Sequence, residues 1–145
     1  MAVVSKDVPV PVDRVWNVLA DGWTYSAWVV GASHVRKVDE NWPAVGSGVH
    51  HSVGAWPLVI EDVTRVVAAT PGELLELEAR LWPVGAARVR LELVPTPAGT
   101  RVVMTEQATK GPATVLPRAV QDAMLKPRNV ETLGRLCALA ERRAD

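Results

Sequence analysis

The chain has 145 residues, enough for one hydrophobic core, and its sixteen Lys plus Arg against sixteen Asp plus Glu leave no net charge to steer it toward a polyanion, so nucleic acid is not an expected partner. Hydrophobic residues make up 48% and charged residues 22%, a globular composition, and the single Cys137 rules out both an intrachain disulfide and a zinc-finger spacing. Pro9 and Pro11 interrupt the stretch where a signal peptide needs an unbroken apolar run, and no segment approaches the length of a membrane span, so a single cytoplasmic domain over 1–145 is expected, with no metal and no cofactor.

Residues 2–8 read as an opening strand, closed by Pro9 and Pro11. Pro11 suits the first turn of a helix, Asp13 sits near its positive end, and Val12, Val15, Trp16 and Leu19 recur at helical spacing. Gly22 stops that helix; WTYSAWVV (23–30) reads as a second short one, broken by Gly31. From about residue 34 the period becomes two, in HVRKVDE, GVHHSVGA, PLVIEDVTRVVAA, ELLELEARL, ARVRLELV and TRVVMTEQA. The separators NWPAVGSG, AWP, TPG, WPVG and PTPAGT all carry Gly or Pro and are too short for parallel crossovers, so these strands form an antiparallel meander. After Lys110-Gly111-Pro112 the chain is helical to its end, with Pro117 in the opening stretch and Val120, Met124, Leu133, Leu136, Cys137 and Ala140 as the inner stripe. Pro127 is expected to kink this helix, and Gly134 to mark a close approach of the sheet. The fold class is α+β: a seven-stranded curved antiparallel sheet wrapped around a long C-terminal helix, with two short helices between strands 1 and 2.

The opening VPVPVDRVWNVLADGWTYSAWV, the meander, and the final KGP followed by a long helix resemble the START-related helix-grip superfamily (SRPBCC), which includes polyketide cyclases and birch-pollen-allergen-like proteins. The resemblance covers essentially the whole chain, and its most specific piece is the VW of the first helix followed by LADGW. It implies a helix-grip fold and a deep cavity between sheet and C-terminal helix, used in different members for lipids, sterols, hormones or aromatic polyketides. Function varies widely on this fold, so the choice rests on the residues of the cavity.

Alternation sorts those residues. In ELLELEARL the apolar Leu75, Leu77, Ala79 and Leu81 face inward, and across WPVG so do Ala87, Val89, Leu91 and Leu93, with Glu78 and Arg90 an exposed pair. Through PTPAGT the register opposes Leu93 to Val102, Leu91 to Met104 and Val89 to Glu106, which points Glu106 inward. The adjacent His50 and His51 point to opposite faces and cannot share one metal. A hairpin closing with Val53 opposite Leu58 puts Val49, His51, Val53, Leu58, Ile60, Asp62 and Thr64 inside, and His50 outside beside Glu61.

The inward polar groups His51, Asp62 and Glu106 admit two readings. His51 and Asp62 hydrogen-bond each other or the first helices while Glu106 caps a backbone amide; or all three meet in the cavity as acid, base or ligand anchor. Trp16 and Trp28 are core residues that can also line a helix-grip cavity, and Thr64, Leu77, Leu91, Met104 and Met124 complete the candidate ligand-binding set. No nucleophile motif, phosphate loop or metal spacing is present, so no catalytic residue is assigned. The leading expectation is a protein binding a small hydrophobic ligand, an apolar or aromatic metabolite or a lipid. The alternatives are a cyclase-like enzyme using the inward polar groups for proton transfer, and a protein-interaction module with an incidental cavity.

Overall fold

A computed structural model of the chain describes residues 2–30, 32–53, 60–81 and 85–143. Strand β1 (Ala2–Val8) leads into α1 (Val12–Ala20), a 3₁₀ turn (Gly22–Thr24) and α2 (Tyr25–Trp28). Six strands follow, β2 (Ala32–Val38), β3 (Gly48–Val53), β4 (Ile60–Thr70), β5 (Leu74–Leu81), β6 (Gly85–Thr96) and β7 (Gly99–Lys110). A second 3₁₀ turn (Pro112–Val115) then opens into α3 (Arg118–Arg142). The AWP corner, with Leu58, and the WPVG turn fall partly or wholly outside the described residues.

The strands form one seven-stranded sheet in the order β1-β7-β6-β5-β4-β3-β2, every neighbouring pair antiparallel. Strands β1 and β2 are consecutive in the chain yet occupy opposite edges. The segment carrying α1 and α2 therefore bridges the two edges of a curved sheet. Gly22 makes the close fit possible: a Cβ there would stand 2.7 Å from Cγ1 of Val38. On α1 the apolar period buries Val15, Val18 and Leu19, with Trp16 half-buried at the flank.

The hairpin register of β6 and β7 is the expected one, with Leu93 opposite Val102, Leu91 opposite Met104 and Val89 opposite Glu106. Two other registers are offset by two residues. Val53 faces Ile60, not Leu58, and Glu78 faces Arg88, not Arg90. An even offset preserves the faces, so Val49, His51 and Thr64 are buried as expected. The ion pairs do change: Glu78 meets Lys110 at 3.8 Å, and Arg90 turns to Glu92 at 3.0 Å. His50, on the outer face, lies 2.9 Å from Asp39; the side chain of Glu61, the expected neighbour, is outside what is described.

Helix α3 packs against β1, β7, α1 and α2. Leu133, Leu136, Cys137 and Ala140 are buried, but Val120 and Met124 are 44% and 54% exposed, which corrects the expected stripe. Met124 and Leu133 are nine residues apart, about two and a half turns, and so lie on opposite sides of the helix. Met124 therefore does not face Met104. The inner face is continued toward the N-terminus by Asn129 and Leu125. Gly134 is also not a contact point: a Cβ there meets no atom within 4 Å, and the residue lines a groove of about 370 Å³ with Ala27 and Ala138. The helix is continuous through Pro127.

Candidate functional site

The inner face of β3 and β4 meets the start of α2 in a small polar relay. Alternation on β3 turns His51 inward, and the β3–β4 register puts Thr64 on the same side. The Thr64 hydroxyl lies 2.7 Å from Nε2 of His51 and 2.9 Å from the Tyr25 hydroxyl. Tyr25 is fixed from its other side by Trp28, edge-on with ring centroids 5.4 Å apart, and its ring lies 5.0 Å from that of His51. Burial pushes the Tyr25 phenol up to about 12, against the bond from Thr64 and the Arg128 charge, so it stays neutral. Burial also lowers the His51 imidazole below its ordinary value, outweighing the Ser52 backbone and the Asp62 charge, which act in the other direction. Near pH 7 this histidine is neutral.

Asp62 stands at the rim. It is only partly buried, and its Oδ1 accepts from the backbone N–H of Val63 at 2.7 Å. His51 is held by Thr64 and not by Asp62; its Nδ1 is buried with no hydrogen-bond partner.

A second polar group forms where β7 passes beneath α3. Glu106, opposite Val89 on one side and Ala2 on the other, is 1% exposed. Its Oε2 lies 3.8 Å from Nη1 of Arg128, and no donor reaches either carboxylate oxygen in good hydrogen-bond geometry. Asn129 is fully buried, and its amide, near enough to Glu106 to favour the charged carboxylate, makes no well-formed bond at either end. Desolvation raises the Glu106 carboxyl above its usual range, outweighing the opposing effects of Arg128 and the nearby Asn129. The cap expected for Glu106 is absent. Arg128 also donates through Nε to the Val30 carbonyl at 3.3 Å, while the Val30 N–H donates to Thr132 Oγ1 at 3.3 Å. These two bonds fasten the end of the α2 segment to α3.

Of the predicted residues, Trp28, Leu77, Leu91 and Met104 belong to one buried apolar cluster with Trp16 packed at its margin. His51, Thr64 and Glu106 are buried polar groups, Asp62 borders them, and Met124 faces solvent. Tyr25, Arg128 and Asn129 were not anticipated. A signal for Asn129 exists: it and Thr132 are polar residues on the stripe that continues through Leu133 and Leu136, where helical spacing puts them inside. Among the described residues no cluster of three His, Cys, Asp or Glu could hold a metal ion, and no helix is long and apolar enough to cross a membrane. Cys137 is buried, and burial pushes its thiol up to about 11, which keeps it protonated and unreactive.

Solved structures share this architecture. Protein NE0264 from Nitrosomonas europaea superposes with a TM-score of 0.73 at 19% identity, over 97% of this chain and 93% of that one. The di-domain ARO/CYC StfQ from the steffimycin biosynthetic pathway gives 0.72 at 16% identity, over 97% of this chain and 50% of StfQ. Ara h 8.0201 gives 0.71 at 12% identity, over 97% of each. At such identities the likeness establishes the fold. No curated protein matches the sequence. The family model described as polyketide cyclase / dehydrase and lipid transport matches residues 2–141, and with the curved sheet closed over α3 it makes this chain a member of that family within the START-related helix-grip superfamily.

Proposed function

We propose that the protein binds a small apolar or aromatic metabolite, or a lipid, between the sheet and α3, oriented by Glu106 with its neighbour Asn129 or by His51. The observation that carries this reading is a group of inward buried atoms that no bond of good geometry satisfies: both oxygens of Glu106, both ends of the neighbouring Asn129 amide, and Nδ1 of His51. Native proteins leave few such atoms, and each costs about 1–3 kcal/mol unless something hydrogen-bonds to it. A ligand bearing hydroxyl or carbonyl groups offsets that cost, and Trp28, Leu77, Leu91 and Met104 supply an apolar surround. Membership of the family described as polyketide cyclase / dehydrase and lipid transport supports a small-molecule role, and the single free thiol of Cys137 fits a cytoplasmic location. Native mass spectrometry of protein purified from its own host is expected to show a retained small molecule. A bare chain whose melting temperature responds to none of a panel of polyphenols and lipids refutes the reading.

A second reading, proton-transfer catalysis of an aldol-type ring closure, is favoured by one observation. Burial moves the two inward titratable groups in opposite directions, Glu106 toward its protonated acid and His51 toward its neutral base. Loss of ring closure of a poly-β-ketone in both Glu106→Gln and His51→Ala, with binding retained, is the outcome that would distinguish catalysis from carriage.

A further inference from the structure

We infer that the ligand's polar end is uncharged, and that Glu106, held beside Arg128, excludes carboxylates and phosphates from the interior. This rests on the ligand-binding reading above and adds the chemical class of the head group. The local charges are already matched, because the Arg128 guanidinium stands 3.8 Å from Glu106, the one fully buried carboxylate among the described residues. A ligand carboxylate seated on Asn129 would bring a second anion beside Glu106, where little water screens the repulsion. Arg128 does not offer a free positive site for that anion, since it faces Glu106 and spends its Nε on the Val30 carbonyl. An ammonium would be attracted to Glu106 but set against Arg128. Of the other titratable groups nearby, Tyr25, His51 and the rim residue Asp62 offer no cation near neutral pH, and Arg36, whose charge acts on His51, is exposed and donates to the Asp62 carbonyl at 3.5 Å.

A neutral head group that both donates and accepts fits what remains. Its O–H or N–H can donate to a Glu106 oxygen, and its oxygen can accept from the Asn129 amide N–H, giving well-formed bonds to atoms that reach each other only in poor geometry. Hydroxyls, phenols and amides have this chemistry. Fatty acids and phospholipid phosphates do not.

The test compares matched probes on the intact protein at pH 8, one aromatic pair, 2-naphthamide and 2-naphthoate, and one alkyl pair, decanamide and decanoate, by tryptophan fluorescence and titration calorimetry. Wild type is expected to bind the amide of at least one pair about tenfold or more tighter than its carboxylate. In Glu106→Gln, which keeps the side-chain shape and frees Arg128, the carboxylate is expected to draw level with the amide or overtake it. A wild type that binds carboxylate as well as amide, or an amide preference unchanged by Glu106→Gln, overturns the inference while leaving ligand binding intact. Failure of all four probes to bind at millimolar concentration overturns both.

Discussion

Replacing Glu106 by Gln should make the protein more stable at neutral and alkaline pH, an unusual outcome for a buried residue. The carboxylate is 1% exposed, and neither oxygen receives a hydrogen bond of good geometry. Its favourable contact is Arg128 at 3.8 Å, and the net upward displacement of its pKa means that desolvation outweighs that attraction. A native pKa above the ordinary 4.5 means that the folded protein holds this proton more tightly than the unfolded chain. The stabilising contribution is thus complete below pH 4.5 and is lost as pH rises through the native value. Gln has no charge to desolvate and nearly the same shape, and Arg128, with 28% of its side chain exposed, can recover some hydration. The expected gain is about 1–2 kcal/mol at pH 8, or roughly 3–6 °C in melting temperature for a chain of this size. At pH 5 the gap should narrow. Differential scanning calorimetry of both proteins at the two pH values measures it, and a Gln variant less stable at pH 8, or a gap independent of pH, would show that the ion pair with Arg128 dominates and refute the reasoning.

Thr64→Val, nearly isosteric, should cost about 2–3 kcal/mol in urea denaturation, because it takes the shared partner from both Tyr25 and His51. Asn129→Leu should hold or raise stability by about 1 kcal/mol, since it removes a fully buried amide that makes no bond of good geometry, while weakening any amide probe that binds; a loss of stability would mean that its contact with Glu106 is structural. Gly134→Ala should stabilise α3 by about 1 kcal/mol, as an added Cβ meets nothing within 4 Å, and a fall in melting temperature would contradict the open groove.

The sheet was legible because a two-residue period leaves few choices. Glu106 lies on a hairpin whose tight turn between Thr96 and Gly99 fixes the register, so alternation alone turns it inward. His51 and Thr64 survived an error in register because the offset was even. Met124 failed because Val120 and Met124 form a short apolar repeat of their own, a half-turn out of phase with Leu133 and Leu136, and the helix buries only the second stripe over its C-terminal half. The partners of Glu106 were hidden for a different reason. Arg128 and Asn129 lie more than twenty residues away along the chain and look like ordinary polar helix residues; it is the packing of α3 across β7 and β1 that brings them to the carboxylate. Tyr25 likewise becomes notable only when α2 sets it against Thr64.

The pairing of β1 with β7 sets an order of events during synthesis. Ala2 leaves the ribosome about a hundred residues ahead of Glu106, with which it pairs, and α3, which packs on β1, emerges later still. Until β7 is made, the first strand has no neighbour in the sheet, and closing a loop of about a hundred residues is an entropic cost that local hairpins do not share. The meander from β2 to β7 can therefore assemble before β1 docks, and the helix seals the seam afterwards. Glu106 sits in that seam, so the polar interior is among the last parts of the molecule to be withdrawn from water.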